Sequence, residues 1–166
     1  MKALISSLLL CLAVRAFAET IDADVVVYGG TASGVSAACT AARFGKKAVV
    51  AEFGMHIGGL TSGGLGWTDI GNKAAIGGFS RDFYKRLGKH YGKPEAWFFE
   101  PSVAERELRV LLDESQVPVK FQQRLAGVKK DGARINEITM EDGTVYRGKM
   151  FIDATYEGDL MAKAGV

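Results

Sequence analysis

The stretch from Asp24 to Glu52 constrains the fold more than any other part of the chain. An apolar run, Asp24 to Tyr28, leads into Gly29-Gly30-Thr31-Ala32-Ser33-Gly34. A small-residue segment from Val35 to Phe44 follows, then Gly45-Lys46-Lys47, then Ala48 to Ala51 ending on Glu52. Three consecutive valines suit a strand buried on both faces. Val35, Ala38, Ala41 and Ala42 fall at helical spacing. Gly45 stands where a left-handed helix stop is wanted. The spacing predicts a strand–helix–strand unit and hence a parallel sheet.

In that unit each residue type has a physical task, and the set matches a dinucleotide-binding fingerprint. Gly29 allows a sharp turn off the strand, and Gly34 allows the helix to approach the sheet. The helix N-terminus offers unpaired N–H groups and partial positive charge to a pyrophosphate. Glu52 lies 18 residues beyond Gly34, near the spacing of roughly 20 expected of an acid that binds a ribose hydroxyl. A carboxylate there disfavours a 2′-phosphate and so NADP. Thr31 replaces the middle glycine of the usual pattern; its hydroxyl is a candidate phosphate ligand, although its Cβ crowds the approach.

The termini and charge narrow the class. Lys2, the apolar Ala3 to Val14 and the small-x-small run Ala16-Phe17-Ala18 read as a signal peptide cleaved after Ala18, with 19–166 as one domain. The apolar stretch is too short to span a bilayer. Loss of Lys2 and Arg15 takes the formal charge from +2 to zero, which leaves no electrostatic case for nucleic acid or an anionic membrane. The expected mature protein is therefore exported, periplasmic or secreted, with a small-molecule partner. Cys11 leaves with the leader; Cys39, beside alanines in the helix, reads as a buried packing residue.

Further along, Phe53 to Asp69 is a glycine-rich loop of the length that is usually functional, with Gly58 and Gly59 able to lie against a ligand. His56 within it is a candidate catalytic group with no partner acid evident in sequence. Phe79, Phe83 and Leu87 share one face of a helix within 75–91. Pro101 opens a helix whose apolar face carries Ala104, Leu108, Leu111 and Leu112; Glu105, Arg106, Glu107 and Arg109 read as its solvated face. A strand is expected over 117–122. A three-stranded meander is expected over 125–130, 134–140 and 144–147, with turns at Asp131-Gly132 and Asp142-Gly143. A separate apolar strand, Lys149 to Asp153, follows, and a helix begins near Leu160.

Four of these motifs, in this order, resemble the N-terminal part of the FAD-dependent oxidoreductase family: Val25 to Val35 with Glu52, His56 to Asp69, Phe99 to Glu105, and Ile152 to Asp159. Some bacterial members of that family are described as xanthan-lyase-like. The resemblance implies FAD as cofactor and an α/β fold of the glutathione-reductase type. That fold is a Rossmann-like parallel sheet with helices on both faces and a three-stranded antiparallel β-meander. It implies cofactor contacts at Gly29, Gly30, Thr31, Ala32, Ser33, Gly34, Glu52, Gly58 and Gly59, adenine contact near Leu125, and Asp159 near the ribityl or pyrophosphate. Family members are longer, so the chain is expected to be the N-terminal portion of an incomplete FAD-binding domain.

No metal-ligand spacing, Ser-His-Asp set or paired carboxylate is evident, and the catalytic residues stay unknown. The expected function is hydride transfer from an unidentified organic substrate to flavin. Two alternatives stand beside it: an NAD-dependent enzyme of the redox glycoside-hydrolase type, and a catalytically silent nucleotide-binding fragment. A carbohydrate-related substrate is implied only by the resemblance.

Overall fold

The computed structural model describes residues 19–166; the expected signal peptide, with Cys11, lies outside them. Its strands are β1 Thr20–Tyr28, β2 Ala48–Ala51, β3 Val119–Lys120, β4 Leu125–Asp131, β5 Arg134–Met140 and β6 Val145–Asp153. Its helices are α1 Ala32–Arg43, α2 Gly78–His90, α3 Pro101–Glu114 and α4 Asp159–Ala164. They form one six-stranded sheet in the order β3-β2-β1-β6-β5-β4. β3, β2, β1 and β6 run parallel, and β5 and β4 continue antiparallel.

β1 is central, and its valines are buried on both faces because side chains alternate along a strand. Val25 and Val27 face α1, α2 and α3, packing in a cluster with Val35, Ala38, Phe83, Leu87, Val103, Leu108 and Leu111. Val26 and Tyr28 face the other way, toward Val49, Ile138, Met140, Tyr146 and the α4 residue Leu160. Each such fully buried aliphatic side chain contributes about 1.5–3 kcal/mol. The opposite face is thus closed by the folded-over meander and the short α4. The expected α/β fold, with helices on both faces and a meander, is the one observed.

The expected boundaries shift in three places. The segments 144–147 and 149–153 are not two strands: β6 runs unbroken from Val145 to Asp153. It pairs with β5 only over Val145 to Arg147 but with β1 along its length. Among the described residues, nothing pairs with 148–153 on the side away from β1. β1 begins at Thr20 rather than Asp24, because Thr20 to Ala23 have Val145 to Gly148 as ladder partners despite their polar composition. β3 shrinks to two residues, since Gln122 adopts a left-handed φ of 59° that ends the extended run.

α3 starts on Pro101 and buries Ala104, Leu108, Leu111 and Leu112, as its periodicity predicts, and Val103 besides. Cys39 is buried in the same cluster as α3, and burial pushes its thiol upward, away from the reactive thiolate. No helix among the described residues is long and apolar enough to cross a membrane.

Candidate cofactor site

The turn that joins β1 to α1 lies at the C-terminal edge of the parallel strands, where α/β sheets bind their ligands. Gly29 holds φ at 102°, and a Cβ there would sit 2.9 Å from the backbone of Ala154. At Gly34 a Cβ would come within 2.0 Å of the Gly29 carbonyl oxygen. Only glycine permits α1 to start this close to β1. The first-turn N–H groups of Ala32 and Ser33 have no acceptor within their own helix, and no acidic residue occupies that turn. Among the described residues nothing accepts from them, so the mouth of α1 carries unpaired donors and the positive end of a 12-residue helix.

Thr31 departs from its expected role. Its hydroxyl accepts the Gly34 N–H at 3.2 Å as the N-cap of α1 and donates to the Ala154 carbonyl at 2.8 Å. With Ser33 Oγ also 2.8 Å away, the Thr31 hydroxyl is committed to fastening α1 to the end of β6. Because the Thr31 proton goes to Ala154, the Ser33 hydroxyl donates to Thr31, and the donors left open at the mouth are the two backbone N–H groups.

Glu52, at the tip of β2, turns back over the same edge. Its Oε2 accepts the Gly30 N–H at 2.5 Å and its Oε1 accepts the Gly54 N–H at 2.6 Å. The residue is only 5% exposed, so the carboxylate is held at the turn and not in bulk water. Each oxygen keeps a second lone pair for an incoming hydroxyl. The loop beyond is fastened to the turn as well: Gly58 N–H donates to the Gly30 carbonyl at 2.6 Å, and Thr31 and Gly58 form a parallel bridge. Ser62 Oγ donates to the Ile57 carbonyl and closes that loop on itself.

Next to Glu52 a cavity of about 420 Å³ is lined by Tyr28, Phe53, Arg124, Leu125, Asp159 and the α4 residues Ala162 and Lys163. It brings Leu125 and Asp159 together. The Leu125 N–H is already taken by the Tyr28 hydroxyl at 3.0 Å. Asp159 opens α4 and lines this cavity; the residues that β6 delivers to the glycine turn are Ala154 and Thr155.

The β6–α4 turn is a closed network. Asp153 Oδ1 accepts from the N–H and hydroxyl of Thr155, and Asp153 Oδ2 accepts the Met161 N–H at 2.9 Å. Thr155 Oγ1 in turn accepts the N–H groups of Gly158 and Asp159, each at 3.0 Å. From this braced turn Tyr156 reaches out, and its hydroxyl accepts the Leu60 N–H at 2.6 Å. Sequence reasoning did not single out Tyr156, Thr155 or Ala154 as site residues; the only signal was their adjacency to the Asp159 motif.

His56 does have a partner acid. Its Nδ1 lies 3.0 Å from Glu105 Oε2 on α3, and Arg109 Nη2 donates to Glu105 Oε1 at 2.6 Å. Glu105 is thus not part of a freely solvated face. Partial burial pushes its carboxyl upward, but hydrogen bonds from Arg109 and His56 and the Arg109 charge outweigh this and hold it below the ordinary value. The pair anchors the 53–58 loop to α3. Among the described residues no cluster of metal-ligating side chains exists.

A family model described as FAD dependent oxidoreductase matches residues 24–166. No curated protein sequence matches the chain. Solved structures share the fold. A geranylgeranyl bacteriochlorophyll reductase-like protein from Thermoplasma acidophilum is 24% identical with a TM-score of 0.63, over 89% of this chain and 43% of that one. L-proline dehydrogenase from P. horikoshii is 15% identical with a TM-score of 0.63, over 90% and 57%. A 3-ketosteroid-delta4-(5alpha)-dehydrogenase from Rhodococcus jostii is 17% identical with a TM-score of 0.57, over 82% and 46%. In each case this chain spans less than two thirds of the relative's length.

Proposed function

The chain belongs to the family of FAD dependent oxidoreductases, and from that premise we propose that the mouth of α1 holds the cofactor's pyrophosphate between the Glu52 edge and the β6–α4 turn. The observation that carries this is the Glu52 carboxylate bonded to Gly30 beside the unpaired first-turn donors of α1. The backbone N–H groups of Ala32 and Ser33 would bind phosphate oxygens. Glu52 would accept a ribose hydroxyl, and its charge would repel a 2′-phosphate. The 420 Å³ cavity beside Phe53 and Leu125 would take the adenine. A loop clamped at Gly58 would shield the pyrophosphate from water.

When bound, FAD would accept a hydride from an organic substrate. The chain's own residues would bind, orient and desolvate the cofactor. Substrate contacts would come from protein outside this sequence, and a carbohydrate-related substrate rests on the resemblance to xanthan-lyase-like members alone. We also propose that residues 1–18 are a signal peptide and that the mature protein is exported. Amino-terminal sequencing of the processed protein should then begin at Glu19; an intact Met1 on protein from the culture fluid or periplasm would refute this.

The visible spectrum of the purified protein, with its full coding region expressed, tests the cofactor reading. Bound flavin gives a yellow protein whose absorbance bleaches on reduction. A colourless protein that neither takes up added FAD nor quenches its fluorescence would refute it. The nicotinamide alternative would appear as binding of NAD without flavin.

A further inference from the structure

Three chain segments meet around the mouth of α1: the 29–31 turn, the 58–60 loop and the 154–156 turn. Two of their three junctions are closed by short bonds to backbone carbonyls. Gly58 donates to the Gly30 carbonyl, and the Thr31 hydroxyl donates to the Ala154 carbonyl in a buried bond. The third junction is a single exposed side chain. Tyr156 spans from the β6–α4 turn to the Leu60 N–H, 96 residues earlier in sequence. Its ring lies against Gly59 so closely that a Cβ there would be 2.2 Å from the phenol oxygen. Both ends of this link are braced, one by the Asp153–Thr155 network and the other by the Gly58 clamp. Yet Tyr156 itself is 62% exposed.

We infer that Tyr156 is a clasp on the proposed FAD site: its hydroxyl leaves the Leu60 N–H when the cofactor enters or leaves, and rejoins it over the bound pyrophosphate. The inference rests on the FAD reading given above. Opening happens at this junction because water can replace an exposed hydrogen bond at little cost, whereas separating buried partners strands them unpaired. The cofactor's pyrophosphate belongs at the N-terminus of α1, whose cap residue Thr31 is joined to both neighbouring segments. On this reading the cofactor passes the Tyr156 link on its way to that mouth. The link is made in the closed state with or without cofactor, so it governs rates more than affinity.

The test is stopped-flow quenching of FAD fluorescence by apoprotein, with dissociation followed by displacement. Tyr156→Phe keeps the ring and removes the bond; one hydrogen bond of ordinary net strength corresponds to roughly three- to ten-fold in rate. Association and release should both accelerate by that factor, with the dissociation constant little changed and apoprotein stability lowered by no more than that one bond. Tyr156→Ala, which also removes the ring, should release FAD faster still and serves if the Phe variant folds poorly. Unchanged or slower rates in both variants would overturn the clasp while leaving the FAD site intact. Failure of the unsubstituted apoprotein to bind FAD would overturn the site itself, and the clasp with it.

Discussion

Glu52 Oε2 accepts the backbone N–H of Gly30 at 2.5 Å, although 22 residues separate them in sequence. This bond joins the tip of β2 to the turn after β1, and it fixes the carboxylate before any ligand arrives. A hydrogen bond to a charged group is worth more than a neutral one, about 1.5–3 kcal/mol, so its loss should be measurable in two ways.

Glu52→Gln turns one acceptor oxygen into a donor that faces a backbone N–H. FAD affinity should fall roughly ten- to hundred-fold, in proportion to the loss of one charge-assisted bond, and apoprotein stability should fall with it. Fluorescence titration and urea unfolding check the two separately. An affinity equal to that of the unsubstituted protein would remove Glu52 from the cofactor site.

Gly34→Ala and Gly45→Ala distinguish overlap from backbone strain. At Gly34 the new Cβ meets the Gly29 carbonyl oxygen at 2.0 Å, and overpacking of this kind costs about 1–3 kcal/mol or more. At Gly45, with φ of 73° and nothing within 4 Å, only strain remains, about 1 kcal/mol. Urea unfolding of both variants should rank Gly34→Ala as clearly worse. The reverse order would mean that α1 does not sit against β1 as described.

Thr31→Val preserves shape but removes the cap of α1 and the donor to Ala154. Loss of an N-cap costs about 1–2 kcal/mol, and Thr31→Ser should recover most of it. Thermal unfolding of the pair decides; a Val variant as stable as the unsubstituted protein beside a destabilised Ser variant would show that the methyl group matters and the hydroxyl does not.

The Glu105 carboxyl, lowered in the folded state below its ordinary 4.5, gives a pH dependence of definite sign. A depressed folded value means that the Glu105 contribution is present above the unfolded value and is lost as pH falls through the folded one. Apoprotein stability should therefore decline as pH drops below about 4.5, and Glu105→Gln should flatten that part of the curve. An unaltered slope in the variant would assign the acid sensitivity to other carboxylates. Glu114 and Glu137 are likewise lowered, by Arg86 and by Arg147 with Lys129, and their variants are the controls.

What could be read from the sequence follows from what is local. The β1–α1–β2 unit was legible because its signals lie within about 30 residues, the extent of one such motif. The α3 helix was legible from Pro101 and four apolar positions. The meander turns were legible from Gly132 and Gly143. The links that assemble the site were not, because they join distant positions: His56 with Glu105 across 49 residues, and Tyr156 with Leu60 across 96. Thr31 misled for a related reason. Its hydroxyl looked available for phosphate until β6 brought the Ala154 carbonyl to within 2.8 Å. The division of β6 into two strands failed because Gly148 looks like a breaker. Here it marks a close approach instead, its missing Cβ leaving room for Val26.

β6 also has a consequence for handling the molecule. Past Arg147 its outer rim of amide and carbonyl groups is unmatched among the described residues, and Met150 on it is 63% exposed. A bare rim of this kind recruits any extended peptide that fits, including another copy of itself. Purified chain of this length should accordingly form concentration-dependent oligomers in light scattering. A proline at Phe151 would be a poor remedy, since β1 needs that rung of the ladder; a lysine at Met150 would leave the rung intact and deter the docking.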